Sequence, residues 1–257
     1  MVFSRKYQLM IVTHLGSGIV KFDDVFNVDV DHFQTFKESL ENTVQRKSEV
    51  KDDGSVLTEG GYIISNEHIK LSPKRYTDLS FLKDKDYEFV EMLKTSMHKC
   101  VVEYCKLFPV VIENIRWVTN GYIIKYEKGQ FIGPHSDCNI AYEEDKVTPI
   151  NSIPLYNVLT VGAFLNDDFT GGELSYRPWG ISAKPKVGSI LIYPSSYIGC
   201  HEVSPVNDGS RYAYLRWYGH GEIPHAPNES VLHLFKDLSI SNREQKYVLV
   251  GTQYKTE

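Results

Sequence analysis

A histidine and an aspartate lie two residues apart, as His135 and Asp137, in the stretch FIGPHSD at residues 131–137. On a β-strand, residues i and i+2 point to the same face of the sheet. An imidazole and a carboxylate side by side supply two ligands of the two-histidine, one-carboxylate set that binds a divalent transition metal. The pair alone is also typical of a hydrogen-bonded turn. The hypothesis of a metal site therefore requires a second histidine elsewhere in the chain.

His201 and Arg211 follow later β-like runs and extend this hypothesis. His201 comes after the apolar run 189–193, far enough beyond Asp137 to arrive from the opposite side of a barrel. Arg211 lies on a strand whose other residues on the same face are apolar. A buried arginine needs an anionic partner, because an unpaired charge is costly to remove from water.

In their order along the chain, the motifs in residues 122–218 resemble the Fe(II)- and 2-oxoglutarate-dependent dioxygenases, most closely their prolyl-4-hydroxylase-like branch. The resemblance rests on these motifs, in order: Tyr126, His135-x-Asp137, Phe164-Leu-Asn-Asp with Gly171-Gly-Glu-Leu, Pro185-x-x-Gly188, His201-Glu-Val-x-Pro205, and Arg211-Tyr with Trp217.

The resemblance implies that Fe(II) is held by His135, Asp137 and His201, which are then both the metal ligands and the catalytic residues. It implies 2-oxoglutarate and O2 as cosubstrates and leaves ascorbate open as a further cofactor. Arg211 would pair with the distal carboxylate of 2-oxoglutarate through its planar, permanently charged guanidinium. Tyr126 would line the cosubstrate site, with a plain core tyrosine as the alternative.

One departure from the family pattern concerns Phe164, where many prolyl hydroxylases carry a tyrosine. A hydroxyl partner for the distal carboxylate must then come from elsewhere. Thr160, four residues earlier on the same strand face, is the predicted substitute. Phe164 and Trp217 are candidates to line the pocket.

The elements that must position these residues indicate an α+β protein with a mainly β core. The resemblance implies a double-stranded β-helix, or jelly roll, with supporting N-terminal helices. Short β-branched or aromatic runs separated by turn residues follow one another from about 115 to 218, which favours an antiparallel sandwich or barrel. The predicted strands are 110–112, 115–118, 122–126, 158–165, 189–193 and 211–218.

Two helices are predicted before the strands. One is capped by Asp31 and runs through Phe33, Phe36 and Leu40, and the other covers 84–108. We predict a single domain over 1–257. Its parts are helical support and loops over 1–112, the β core over 113–218, and an extension over 219–257 with a helix near 231–238.

Composition narrows the classes of function. The net charge of −5 and the absence of long runs of like charge argue against a nucleic-acid-binding protein. A dealkylase of nucleic acids would also need a second arginine six residues after Arg211, whereas Arg216 is five residues on and has the opposite strand parity. No apolar stretch suits a membrane span or signal peptide, and the four cysteines suggest reduced thiols, so we expect a soluble cytoplasmic protein.

The predicted activity is hydroxylation of an unactivated C–H bond, with release of succinate and CO2. The substrate is a prolyl or other residue of a peptide or protein, and a small molecule or free amino acid stays open. A catalytically idle, cupin-like binding module is the alternative, although it does not explain Arg211. Residues 46–82 and 138–156 are candidate lid loops. The sequence predicts no oligomeric state.

Overall fold

The computed structural model describes residues 10–42, 45–46, 49–50, 56–57, 63–64, 73–77, 79–138, 140–141, 155–220 and 229–231. Its helices are α1 (Val30–Glu41), α2 (Asp84–Leu107) and the single turn α3 (Val111–Asn114), with 3₁₀ turns at Arg177–Trp179 and Tyr197–Gly199. Its strands are β1 (Ile11–Gly16), β2 (Ile19–Asp23), β3 (Gln45–Arg46), β4 (Glu49–Val50), β5 (Val56–Leu57), β6 (Ile63–Ile64), β7 (Lys74–Tyr76), β8 (Trp117–Val118), β9 (Tyr122–Tyr126), β10 (Ile132–His135), β11 (Ile140–Ala141), β12 (Leu155–Phe164), β13 (Thr170–Gly171), β14 (Leu174–Tyr176), β15 (Ile181–Ala183), β16 (Ile190–Pro194), β17 (His201–Val203), β18 (Val206–Asp208), β19 (Arg211–His220) and β20 (Glu229–Ser230).

Two antiparallel sheets make up the β core. The major sheet has the strand order β1-β2-β16-β12-β19-β9-β7-β3, with β8, β11 and β20 attached at its side. The minor sheet has the order β10-β17-β14-β15. Buried residues of β14 and β17 pack with buried residues of β9, β12, β16 and β19, so the two sheets enclose a common apolar layer. This is the mainly β, jelly-roll architecture predicted from the sequence, with sheets that do not close into a barrel.

Alternate residues of the major-sheet strands belong to two different cores. Ile124 and Leu191 pack in the layer between the sheets. Their chain neighbours Ile123 and Ile192 pack on the other face, against α1 and α2. These strands are therefore apolar on both faces, as expected for a sheet that is covered on each side.

The helices cover the outer face of the major sheet. The predicted long helix is confirmed as α2, which buries a stripe of residues at helical spacing. The predicted cap of α1 is wrong, because Asp29 accepts the His32 amide at 2.9 Å and Asp31 lies inside the first turn. No helix within the described ranges is both long enough and apolar enough to cross a membrane.

The carboxylate of Glu41, at the end of α1, links the helix to β7 and β9. It accepts hydrogen bonds from the Tyr76 hydroxyl at 2.6 Å and from the amines of Lys125 at 3.0 Å and Lys74 at 3.1 Å. Partial burial raises the pKa of Glu41, but these hydrogen bonds outweigh it and lower the pKa from 4.5 to about 2. The ion cluster thus holds α1 against the strands that carry the site.

Most predicted strands are confirmed. The run 122–126 coincides with β9, and the runs at 158–165, 189–193 and 211–218 fall within a few residues of β12, β16 and β19. The strand predicted at 110–112 is wrong, because the amides of Val111 and Ile112 bond back to the carbonyls of Phe108 and Pro109 and form a helical turn. The predicted helix near 231–238 and most of both candidate lid loops lie outside the described residues.

Candidate active site

His135, Asp137 and His201 converge at one end of the layer between the sheets. His135 ends β10 and His201 begins β17, and these two residues are directly paired across the strands. Their ring centroids are 4.4 Å apart, and His135 Nε2 lies 3.6 Å from Asp137 Oδ1. One ligand atom from each of the three residues lies within 4.8 Å of the others. Two imidazoles and one carboxylate at this separation fit a single divalent transition metal, with further coordination positions left open.

Backbone carbonyls orient both imidazoles. Nδ1 of His135 lies 2.8 Å from the Gly133 carbonyl, and Nδ1 of His201 lies 2.9 Å from the Gly199 carbonyl. A carbonyl only accepts, so in each ring Nδ1 carries the proton and donates it. This leaves the Nε2 lone pair of each ring for the metal, an arrangement typical of histidine ligands.

The carboxylate of Asp137 is held by hydroxyl groups from the major sheet. Thr160 Oγ1 donates to Asp137 Oδ2 at 2.8 Å, and Tyr193 donates to the same oxygen at 3.2 Å. Ser195 Oγ lies 2.9 Å from Thr160 Oγ1 and supports it from behind. The Asn157 amide also donates to the Asp137 backbone carbonyl at 2.8 Å. These contacts leave Oδ1 directed toward the histidines.

The electrostatics favour the protonation states that a metal requires. Burial raises the pKa of Asp137, but the charges of His201 and His135 and the bonds from Thr160 and Tyr193 outweigh it and hold this pKa below its ordinary value. Burial lowers the pKa of His201 to about 4. At neutral pH the site therefore offers a carboxylate and a neutral His201 imidazole.

Arg211 lies in the same layer, at the start of β19. It is 3% exposed, and its guanidinium carbon sits 5.0 Å from the Tyr126 ring centroid and 5.3 Å from that of Phe164. Its Nε is buried without a hydrogen-bond partner, and no carboxylate in the described part of the chain pairs with it. Burial lowers the pKa of Arg211. The contacts with the two rings do not neutralise the guanidinium charge, so Arg211 can still bind an anionic ligand.

Tyr176, from the minor sheet, faces the same space. Its ring lies 5.6 Å from that of His201 and 5.3 Å from that of Tyr193. The side chain is fully buried, and its hydroxyl has no hydrogen-bond partner. Burial and the charge of Asp137 raise the pKa of Tyr176 well above its ordinary value, while Arg211 acts in the opposite direction. The phenol is therefore a neutral donor without an acceptor.

The structure brings together most of the residues singled out in the sequence. The three ligand candidates meet, and Tyr126 and Phe164 both contact Arg211. Thr160 lies instead beside Asp137, opposite Trp217 in the strand register. Trp217 is half-buried, its ring 5.2 Å from that of Tyr122, and its indole N–H is buried without a partner.

Sequence reasoning missed Tyr193, Ser195 and Tyr176. Tyr193 and Ser195 could have been found from strand pairing and parity, because they lie two residues apart at the end of β16. Thr160 pairs with Tyr193, so a tyrosine across from a residue near the site is within reach of Asp137. Tyr176 carried no such signal, because it lies in the other sheet.

Comparisons with known proteins agree with this geometry. Residues 119–219 match the family described as the 2OG-Fe(II) oxygenase superfamily. No curated protein sequence matches the chain. Among solved structures, the viral collagen prolyl hydroxylase of Paramecium bursaria Chlorella virus-1, in its 2OG complex, is similar over 80% of this chain and 98% of its own, with 12% identity and a TM-score of 0.50. A Trichoplax adhaerens prolyl hydroxylase, in complex with a hypoxia inducible factor oxygen degradation domain peptide, is similar over 79% of this chain and 83% of its own, with 16% identity and a TM-score of 0.50. At these identities the structural likeness establishes the fold.

Proposed function

Because residues 119–219 match the 2OG-Fe(II) oxygenase superfamily, we propose that this protein hydroxylates an unactivated C–H bond of a prolyl or other residue in a peptide or protein. In this reaction the substrate, O2 and 2-oxoglutarate give the hydroxylated substrate, succinate and CO2. O2 is the oxidant: Fe(II), the family's cofactor, would activate it, and 2-oxoglutarate and the C–H bond would each supply two of the four electrons that reduce it.

The charge balance of the site carries this proposal. A divalent cation beside Asp137 leaves one net positive charge, and Arg211, buried in the same layer, adds a second. A dicarboxylate that reaches from the metal to Arg211 neutralises both. 2-Oxoglutarate has this form, and its keto group and adjacent carboxylate can chelate the metal. An idle metal-binding module would not require the buried cation.

The chain's own residues have distinct tasks in this scheme. His135, Asp137 and His201 would hold Fe(II), and the hydroxyls of Thr160 and Tyr193 keep the carboxylate deprotonated and oriented. Arg211 would bind the distal carboxylate of 2-oxoglutarate between the Tyr126 and Phe164 rings. The apolar layer excludes water from the reacting groups.

The prolyl substrate is proposed from the neighbours. The two similar structures are named as prolyl hydroxylases, and one contains a peptide. A peptide library containing proline, together with free amino acids, should therefore be incubated with protein, Fe(II), 2-oxoglutarate and air. We expect mass spectrometry to detect addition of one oxygen atom to a prolyl peptide. Hydroxylation of a free amino acid alone would overturn the peptide assignment.

Removal of one metal ligand tests the enzyme assignment itself. We expect His135→Ala to abolish 2-oxoglutarate-dependent succinate formation while leaving the thermal unfolding temperature close to that of wild type, because His135 is only partly buried. His14→Ala, at a histidine on β1 that packs on Phe108, is a suitable control. Succinate formation that persists in His135→Ala would contradict the proposed metal centre.

A further inference from the structure

Two buried polar groups in the layer between the sheets lack hydrogen-bond partners: the Arg211 Nε and the Tyr176 hydroxyl. A buried polar group that stays unsatisfied destabilises the folded protein. Arg211 Nε–H can only donate, whereas the Tyr176 hydroxyl can donate or accept, and neither group bonds the other. A ligand with acceptor oxygens would satisfy both at once.

The turn that packs against Arg211 is followed immediately by β14, the strand that carries Tyr176. A Cβ at Gly172 would stand 2.9 Å from Arg211 Cδ, so the turn before β14 packs against the arginine side chain. Tyr176 lies four residues further on, at the end of β14. Tyr176 also belongs to the same buried cluster as Tyr126 and Phe164, the two rings that contact the Arg211 guanidinium.

The hydroxyls of Thr160 and Tyr193 are engaged at the metal end. Thr160 bonds Asp137 and pairs in register with Trp217, six residues along β19 from Arg211, which is about 20 Å of strand. The Tyr193 hydroxyl lies 3.2 Å from both Asp137 Oδ2 and His201 Nε2. In the described part of the chain, the buried hydroxyls without a partner belong to Tyr176 and Tyr218. Tyr218 packs on the outer face of the major sheet.

We propose that Tyr176 binds the cosubstrate: its phenol donates a hydrogen bond to the distal carboxylate of 2-oxoglutarate, the carboxylate that Arg211 pairs with. The assignment rests on the proposed function. Tyr176 takes the place that the sequence suggested for Thr160. It supplies, from the minor sheet, the hydroxyl that Phe164 lacks in the major sheet. The carboxylate is then held from both sheets.

Ligand binding, measured without turnover, tests this assignment. Wild type and Tyr176→Phe are loaded with Mn(II) and titrated calorimetrically with 2-oxoglutarate and with 2-oxopentanoate. The second acid has a methyl group in place of the distal carboxylate. We expect Tyr176→Phe to weaken 2-oxoglutarate binding about 10- to 100-fold, because a hydrogen bond to a buried charge is lost. Binding of 2-oxopentanoate should change less than about twofold, since it makes no such bond.

Tyr218→Phe is the matched control, because it removes a second buried and unpartnered phenol from the opposite face of the sheet. It should leave both titrations unchanged. An unchanged 2-oxoglutarate affinity in Tyr176→Phe would overturn the inference. So would an equal loss for both acids or a loss of Mn(II), since either would place Tyr176 among the supports of the metal. Wild type that fails to bind 2-oxoglutarate would overturn the proposed function as well.

Discussion

Replacing Arg211 with methionine should stabilise the protein and abolish its response to 2-oxoglutarate. Without ligand, Arg211 is a buried cation whose Nε has no partner, and its contacts are the faces of two rings. Each ring contributes about 0.5–2 kcal/mol, whereas burial of an uncompensated charge costs several kcal/mol. Methionine fills a similar volume without a charge. We therefore expect the free energy of unfolding of the ligand-free protein to rise by about 1–3 kcal/mol.

When 2-oxoglutarate is bound, wild type should be stabilised and Arg211→Met should not. At 2-oxoglutarate concentrations about 100-fold above the Kd, wild type should gain about 2.7 kcal/mol, which is roughly 5–11 °C in Tm for a chain of this length. Arg211→Met should show almost no shift, because the distal carboxylate would be buried without a counter-charge. The assay is thermal unfolding of the Mn(II)-loaded proteins with and without 2-oxoglutarate.

Arg216→Met on the same strand is the control. Arg216 is also fully buried, but it donates to the Thr119 carbonyl at 2.8 Å and contacts His98 Nε2 at 2.9 Å. Although its Nη2 is also buried without a partner, its loss removes the hydrogen bonds to Thr119 and His98, so this variant should be less stable yet keep the full ligand shift. Lower ligand-free stability in Arg211→Met, or a retained 2-oxoglutarate shift, would refute the reasoning.

Two further predictions concern the supports of the site. A Cβ at Gly199 would lie 1.8 Å from the Pro194 carbonyl oxygen, and Gly199 orients His201, so Gly199→Ala should weaken Mn(II) binding about 10- to 100-fold in a metal titration. Gly180→Ala, where a Cβ meets open space, should not, and equal affinities in the two variants would contradict this. The folded pKa of Glu41 is lowered to about 2, so its stabilising contribution is complete above pH 4.5 and is lost as the pH falls toward 2. The Tm difference between wild type and Glu41→Gln should accordingly shrink from pH 6 to pH 3, and a constant difference would exclude the Glu41 cluster as its source.

Strand parity explains which parts of the site could be predicted. It places Arg211 between the sheets, because this relation depends only on the alternation within one strand. It does not account for Asp137, because β10 ends at His135 and Asp137 follows two residues beyond the strand. Both ends of β9 were also predicted correctly, because its aromatic and β-branched run is bounded by turn residues.

Relations between strands were harder to predict. Thr160 was assigned to the correct face of β12, but its position along the layer depends on the register of β12 with β19 and β16. That register places its hydroxyl on Asp137 and Ser195, at the metal end. Tyr176 reaches the site from the minor sheet, whose packing on the major sheet no local pattern describes. Side-chain periodicity thus identifies the face a residue occupies, whereas tertiary pairing decides its neighbours.

The two arginines of β19 show how this parity limits the substrate. Arg211 and Arg216 are five residues apart and therefore project to opposite faces of one strand. Arg211 enters the layer that contains the metal ligands, while Arg216 lies on the helix side, in contact with His98 of α2. An arginine six residues after Arg211 would have faced the site, but that position is Trp217, whose unpartnered indole N–H is a neutral donor. Beyond Arg211, the face of β19 toward the metal ligands therefore carries no second cation. A phosphate group beside this face would therefore find no counter-charge on β19 other than Arg211 itself.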